Sequence, residues 1–489
     1  MSSPKTRSGG STGGGGLLGG RSGAGGRSGG SGGLPIGNLG KGGGILGIIV
    51  AIVITFMATT GGGGTGTTSG NDVVGQRSEI VTVTKTDRAS LSPAQRADLD
   101  GFVAATVDDL AIYWTEEFPD VYGQRFTPLA DIFPYDPTGD QRISCGQSLD
   151  PNILNSNAIY CPAEDYITWD SNFLIPNFYA NFGKSAVGVV LAHEYGHAVQ
   201  TRGGLDAAPI IRDLQADCFA GSWIRRSIDG SGAVTLRERD LQGALSGFLL
   251  LRDPPGAPTD GFSAHGSAFD RVSAFQSGYD DGADRCRDFA TVGVEIVDLN
   301  LERGDVNAGN LAYEDARDAV LDDLAAFWAD ALADVGLAGL ALAPFTDGQA
   351  NGCDEAGVAN ELFHYCAQSA SLVWNEDLAS RLNTAIGDFS TAFYLARTYG
   401  EAILVENDIA DLEGTIADCL AGVWAGDVAY TSTRLLELTG GDLDEAIASM
   451  LNDPEADNNA SAFVRVASFK TGFFDGGSGT VASIEICRA

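Results

Sequence analysis

Hydrophobic positions along this chain of 489 residues recur mainly at the spacing of amphipathic helices. The run at 186–192 is apolar on all sides and therefore predicts a helix that is buried on every face. Gly203 and Gly204 follow, where a helix commonly ends. The pattern predicts a mainly α fold (α+β with few strands) with helices at 94–117, 184–202, 209–227, 267–278, 313–335, 383–405 and 410–425.

The N-terminal region differs in composition from the rest of the chain. Residues 1–44 are rich in glycine and serine and cannot form a core, whereas 45–60 is apolar enough to cross a bilayer as one helix. A signal peptide or a buried helix is the alternative, but no clear small-residue cleavage site follows. We therefore expect a single-pass membrane anchor, a linker at 61–92, a cytoplasmic N-terminus and extracytoplasmic C-terminal domains.

The net charge of −35 excludes one broad class of partner. Residues 1–60 contain five basic side chains and no acidic one, so the rest of the chain is even more acidic. Nucleic-acid binding requires a basic surface, and we expect none here. Acidity of this kind favours solubility.

The remainder of the chain contains two related stretches, which predict similar domains at 93–300 and 310–489. The motifs recur in the same order throughout. Asp108–Trp114 returns as Asp322–Trp328, Leu191–Ala198 as Leu395–Ala402, Ala216–Trp223 as Ala417–Trp424, and Ser267–Val272 as Ser461–Val466.

The first stretch contains the pattern H-E-x-x-H at residues 193–197. On a helix, His193 and His197 lie on one face and can direct two imidazoles at a single Zn²⁺. Glu194 projects from the same turn and can act as a general base toward water. The alternative is a core helix with two histidines that are satisfied by hydrogen bonds.

Asp213 and Asp217 lie four residues apart on the next predicted helix. The second stretch has Gly414 at the position of Asp213 but keeps Asp217 as Asp418. Asp213 is therefore the predicted third zinc ligand, and Asp217 is expected to accept an N–H from a ligating histidine. A solvated acidic face is the alternative for both residues.

The second stretch has lost the other reactive groups as well. Arg397, Thr398 and Glu401 stand at the positions of the H-E-x-x-H residues, and Asn459 replaces His265. We therefore expect the second domain to fold like the first but to bind no zinc. His265 is a candidate hydrogen-bond donor to a developing oxyanion, although a lone loop histidine is usually just exposed.

Eight cysteines, four in each stretch, indicate an oxidising compartment. Free buried thiols remain an alternative, and Cys218 is a rival zinc ligand. Because four cysteines allow three connectivities, the pairing below is a preference. It joins Cys145 to Cys161, Cys218 to Cys286, Cys353 to Cys366 and Cys419 to Cys487.

Three segments together resemble the bacterial neutral zinc metallopeptidase family of YpfJ-like proteins: 191–200, 213–221 and 265–275. The glycine-rich basic N-terminus with one apolar span is also similar, and the resemblance covers about residues 1–290. It implies a membrane-anchored, mostly helical, zincin-like metallopeptidase domain. That family usually has Glu-Leu-Gln-Ala-Asp, with Glu as the expected ligand, where this chain has Asp213. Aspartate is one methylene shorter, so the helix must lie closer to the metal or the affinity falls.

The sequence thus predicts a membrane-anchored, extracytoplasmic zinc peptidase acting on a peptide or protein substrate. Two other functions are considered. The first is a non-catalytic cell-surface interaction protein with a structural zinc or none, and the second is a zinc amidase acting on cell-wall peptides.

Overall fold

The computed structural model describes residues 86–488, apart from short gaps at 150–152, 255–264, 298, 300–309, 354–360, 432–433, 435, 454–459, 478 and 481. The predicted anchor at 45–60 and most of the predicted linker lie outside these residues. Within the described part of the chain, no helix is long and apolar enough to cross a membrane.

Helices dominate the N-terminal half, defined here as residues 86–297, as the sequence predicted. The first helix begins with a capping box in which Ser92 and Gln95 satisfy each other's backbone N–H groups. The elements are α1 (Pro93–Tyr122), β1 (Asp131–Tyr135), β2 (Ala158–Cys161), β3 (Tyr166–Asp170), α2 (Leu174–Gly203), α3 (Pro209–Ile228), α4 (Leu241–Leu251) and α5 (Ala268–Arg287).

The C-terminal half, residues 310–488, has a similar order of elements. They are α6 (Tyr313–Phe327), α7 (Ala329–Asp334), β4 (Ala341–Phe345), β5 (Phe363–Cys366), β6 (Ser371–Asn375), α8 (Glu376–Ala385), α9 (Asp388–Glu406), α10 (Thr415–Tyr430), α11 (Asp442–Leu451), α12 (Ala462–Asp475) and α13 (Ala482–Cys487).

Each half contains a three-stranded sheet of the same topology. The strand orders are β1-β3-β2 and β4-β6-β5. In both sheets the central strand is parallel to the first strand and antiparallel to the second. Pro134 pairs with Trp169 in one sheet, and Pro344 pairs with Trp374 in the other.

Glycines determine where several helices begin, bend or end. Gly183 interrupts α2 with a φ of 80°, so the predicted helix at 184–202 is the second segment of a longer, kinked element. Gly387 (φ 146°) and Gly414 (φ 71°) directly precede α9 and α10. These two helices therefore begin about five residues later than the sequence pattern predicted.

All eight cysteines form the preferred pairs. Cys218–Cys286 and Cys419–Cys487 each span 68 residues, while Cys145–Cys161 and Cys353–Cys366 tie each sheet to the loop before it. Cys218 is therefore not free to bind a metal, and that rival interpretation is wrong.

The two halves share one hydrophobic core. At the contact, the ring of Phe269 lies 5.4 Å from that of Phe473 and 6.3 Å from that of Phe469. Gln276 of α5 donates to the carbonyl oxygen of Phe463 at 3.0 Å.

Candidate metal centre

The second segment of α2 brings the two histidines of the H-E-x-x-H pattern together. His193 and His197 are one helical turn apart, and their Nε2 atoms lie 3.2 Å from each other. The surrounding segment is buried on nearly all sides because of its continuous apolar sequence. Two imidazoles are thus held at the edge of a rigid core.

Helix α3 supplies Asp213 and lies unusually close to α2. A Cβ at Gly196 would come within 2.9 Å of the Cα of Ala216, so only glycine permits this approach. The Oδ1 atom of Asp213 lies 3.8 Å from Nε2 of His193 and 3.6 Å from Nε2 of His197. Asp213 therefore reaches both rings although its side chain is one methylene shorter than that of glutamate.

The three ligand atoms fit a single zinc ion. A triangle with edges of 3.2, 3.6 and 3.8 Å has a point about 2 Å from every corner, which is the usual Zn–N and Zn–O distance. The Oδ2 atom of Asp213 is buried and has no hydrogen-bond partner among the described residues. Two imidazoles and a carboxylate with an unsatisfied oxygen form a donor set suited to Zn²⁺.

The outer nitrogens of both rings are engaged, which leaves the inner nitrogens free for a metal. Nδ1 of His193 lies 2.7 Å from Oδ1 of Asp217, and Nδ1 of His197 lies 3.0 Å from Oε1 of Gln200. The amide nitrogen of Gln200 donates to the carbonyl oxygen of Arg212, which fixes its oxygen toward the ring. Both Nδ1 atoms therefore act as donors, so each ring in its neutral form has its lone pair on Nε2.

The two histidines differ in basicity in the metal-free protein. Burial opposes protonation of His193, but the charge and hydrogen bond of Asp217 outweigh it and raise the pKa to about 9. Burial, and then the neighbouring His193, lower the pKa of His197. A metal must therefore displace a proton from His193, while His197 is ready to coordinate.

Glu194 lies next to this pair on α2. It is 8 % exposed and makes no hydrogen bond or ion pair with any described residue. A carboxylate without a protein partner beside a metal centre can accept a proton from water.

Arg271 of α5 completes the support of the centre. Its Nε and Nη2 atoms donate to the two oxygens of Asp217 at 2.8 and 2.9 Å. Its Nη1 atom donates to the carbonyl oxygen of Leu251 at the end of α4, at 2.9 Å. Asp217 thus connects His193 to two further helices.

His265 lies just before α5, in the loop where the sequence placed it. Its Nδ1 is 3.2 Å from Oδ1 of Asp253, and the ring side chain is 31 % exposed. The hydrogen bond that His265 donates to Asp253 is the main cause that raises the pKa of His265, and the charge of Asp213 adds to it. The carboxylate of Asp213 therefore favours the protonated form of this ring. The role of His265 as an oxyanion donor remains a prediction.

An arginine replaces the metal ligands at the corresponding place in the C-terminal half. Arg397 of α9 donates to Asp418 at 3.2 Å and to Glu401 one turn along the helix. Arg465 holds both oxygens of Asp418 as Arg271 holds those of Asp217. No histidine of the described C-terminal residues lies in this cluster, so a guanidinium supplies the positive charge here.

Sequence reasoning missed three contributors: Gln200, Arg271 and Asp253. Gln200 is three residues after His197 and so lies on the same helix face, which was a detectable signal. Arg271 recurs as Arg465, together with the recurring aspartate that each one binds. Asp253 contacts His265 from 12 residues away, and no spacing in the sequence indicates that contact.

The N-terminal part of the chain is similar to known proteins. Residues 9–212 match the family described as "Putative neutral zinc metallopeptidase", a match that includes His193 and His197 and ends one residue before Asp213. The protein named "Uncharacterized protein YpfJ" of Escherichia coli K12 is 28% identical over 267 residues, which is 50% of this chain and 84% of that protein.

A mycobacterial relative is also similar. The protein named "Uncharacterized protein Rv2575" of Mycobacterium tuberculosis H37Rv is 29% identical over 172 residues, or 30% of this chain and 57% of that protein. No solved structure gives a significant match. Residues 9–212 of this chain are therefore similar to the neutral zinc metallopeptidase family, and the chain resembles the YpfJ protein over half of its length.

Proposed function

We propose that this chain is a zinc-dependent peptidase whose metal is held by His193, His197 and Asp213. The observation that carries the proposal is the triangle of three ligand atoms, with edges of 3.2 to 3.8 Å. Three protein ligands among the described residues leave a fourth position for water, as in catalytic zinc sites.

The roles of the side chains follow from their positions. A zinc ion bound there supplies a Lewis acid that polarises the scissile carbonyl and lowers the pKa of a water molecule. Glu194 accepts the proton of the attacking water and delivers it to the leaving amine. His265 donates a hydrogen bond to the oxygen of the carbonyl as negative charge develops. Asp217 and Gln200 hold the two ligating rings in the required tautomer.

Glu194 favours a peptidase over a non-catalytic surface protein with a structural zinc. A structural site normally has four protein ligands and no use for an adjacent unpaired carboxylate. An amidase that cleaves cell-wall peptides uses the same chemistry, so substrate assays distinguish it from a peptidase.

We further infer that the C-terminal half is a degenerate copy of the N-terminal half. The shared sheet topology and the two disulfides of equal span support this. So do two equivalent contacts, from Trp223 to Asp109 and from Trp424 to Asp323, each at 2.8 Å. The metal ligands were lost while the packing residues were kept.

We place the described residues outside the cytoplasm, anchored by the apolar segment at 45–60. Four disulfides support an oxidising compartment, and the basic residues before that segment support a cytoplasmic N-terminus. Protease treatment of intact cells should degrade the C-terminal half and spare an N-terminal tag.

Metal analysis combined with peptide hydrolysis tests the function. The full-length protein, purified without chelator, should contain one zinc per chain and cleave peptides from a mixed library. Glu194→Gln should retain the zinc and lose about 10²- to 10⁴-fold in kcat, the contribution of a general base. His193→Ala should lose both zinc and activity.

Glu116→Gln is the matched control, because Glu116 is an exposed carboxylate paired with Arg226. It should behave like the wild type. Absence of zinc, or full activity in Glu194→Gln, would contradict the proposal.

A further inference from the structure

One buried carboxylate of the C-terminal half is bound by residues of the N-terminal half. Asp444 of α11 is 2 % exposed. Its Oδ1 accepts from the backbone N–H of Phe269 at 2.9 Å, and its Oδ2 lies 3.0 Å from Nε of Arg252. Within the described part of the chain, its hydrogen-bond and ion-pair partners all belong to the other half.

These two partners flank the corner that carries His265. Arg252 caps the end of α4, and Phe269 lies in the first turn of α5. Inside the corner, Asp253 accepts from the N–H groups of His265 and Gly266 at 2.6 and 2.9 Å. The N–H of Asp253 in turn donates to the carbonyl oxygen of Gly266 at 3.0 Å. Asp253 therefore joins the end of α4 to the start of α5. Asp444 binds one residue at each of these helix ends, Arg252 and Phe269.

The same corner is connected to the metal centre. Arg271, two residues after Phe269, donates to Asp217 and to the carbonyl oxygen of Leu251. Leu251 directly precedes Arg252. Arg271, which binds Asp217, and Asp444 therefore contact adjacent residues at the end of α4. A displacement of this corner would move His265 relative to the two ligating histidines.

The N-terminal half has no carboxylate at the position that aligns with Asp444. Aligning Arg252-Asp253-Pro254 with Asn452-Asp453-Pro454 puts Ala244 at the position of Asp444. Burial raises the pKa of Asp444 to about 6, and Arg252 opposes the shift. Keeping this carboxylate charged inside the protein therefore makes folding less favourable. A buried acid whose hydrogen-bond and ion-pair partners lie in the neighbouring half is better explained by the residues it holds there.

We propose that Asp444 is a positioning residue by which the C-terminal half holds the His265 corner against the metal centre. The inference rests on the proposed function only in giving His265 a part in catalysis. In this way the C-terminal half completes the site of the N-terminal half. The carboxylate does this by bracing Arg252 and Phe269 at the same time.

Three full-length variants test the proposal by measurements that do not depend on catalysis. Asp444→Ala removes both contacts, Asp444→Asn keeps the acceptor for Phe269 and removes the charge, and Arg252→Met removes only the ion pair. We expect amide hydrogen exchange at Gly266 and Phe269 to accelerate at least tenfold in Asp444→Ala and less in the other two. The NMR signal of the His265 ring, assigned with His265→Gln, should shift in the same order.

Zinc content should stay at one per chain in all three variants, while kcat falls more than KM rises. Combining Arg252→Met with Asp444→Ala should add nothing further, because the two changes remove one interaction. Gln242→Ala is the control, since it removes a hydrogen bond between the halves, to the carbonyl oxygen of Leu451, without touching the corner.

Unchanged exchange and an unchanged His265 signal in folded Asp444→Asn and Arg252→Met would overturn the proposal. Accelerated exchange in a protein without peptidase activity would instead uphold the positioning role and count against the proposed function.

Discussion

Asp217 is fully buried, and its Oδ1 lies 2.7 Å from Nδ1 of His193. Burial opposes the negative charge, but Arg271 and then His193 hold the pKa of Asp217 below its usual value. The carboxylate is therefore ionised at neutral pH and sets both the tautomer and the direction of the ring. The guanidinium of Arg271 on its other face compensates this buried charge.

Asp217→Asn should weaken zinc binding by about 10- to 100-fold, the usual effect of losing such a partner of a ligating histidine. The amide keeps the size of the side chain but removes the charge that favours a donating Nδ1–H. Competition with a chelator of known affinity measures the change. Asp229→Asn, on an exposed acid just after α3, should bind zinc like the wild type.

Gln200→Leu should also reduce zinc affinity, by about tenfold or more. The leucine fills a similar volume but cannot accept from His197 or donate to Arg212, so both the ring and the start of the Asp213 helix lose a restraint. The matched control is Gln124→Leu, since Gln124 is exposed and donates to a carbonyl at the same end of α2. Equal affinities in the two variants would show that Gln200 does not orient the ligand.

The sequence predicted the parts of this site that depend on helical spacing. His193, His197 and Asp213 lie within metal-binding distance of one another, as expected for residues on one face of two adjacent helices. The second stretch was equally informative, because Gly414 aligns with Asp213 whereas Asp418 aligns with Asp217.

The parts that depend on long-range packing could not be read in this way. The contact of Asp444 with Phe269 joins residues 175 apart and leaves no periodic signal. The helices α4 and α11 were missed because their apolar residues lie in short segments without clear caps. Asp444 stands in one of them, so the interaction between the halves stayed invisible until the fold was known.

Arg397→Met should destabilise the protein without changing its zinc content. Arg397 is buried between Asp418 and Glu401. Its removal leaves Glu401 without a counter-charge, while Asp418 keeps Arg465. Loss of one partner of such a buried pair typically costs about 3–5 kcal/mol in the free energy of unfolding. Urea denaturation measures it.

Arg381→Met provides the comparison for that experiment. Arg381 pairs with Asp347 at the surface, where an ion pair contributes about 0–1 kcal/mol. If both variants unfold at the same urea concentration, Arg397 does not replace a metal as the cation of the C-terminal cluster.

Asp442 should make the folded state lose stability as the pH rises from 5.5 to 8. Asp442 lies with Asp388 and Glu445 in a group whose carboxylate oxygens are within 4.8 Å of one another. Burial and then Asp388 raise the pKa of Asp442 to about 7, whereas an unfolded aspartate has a pKa of 3.8. Between these values the native state binds more protons than the unfolded state, so deprotonation on raising the pH disfavours folding.

One such group changes the free energy of unfolding by about 1.4 kcal/mol per pH unit below pH 7, which gives roughly 2 kcal/mol over this interval. Asp442→Asn should flatten the dependence, because the amide accepts from Thr439 without titrating. Asp330→Asn, at an exposed position on α7, should leave the slope unchanged. Urea titrations of the three proteins at five pH values, with chelator-buffered zinc, measure these slopes. A slope in Asp442→Asn equal to that of the wild type would mean that Asp442 is already ionised at pH 5.5.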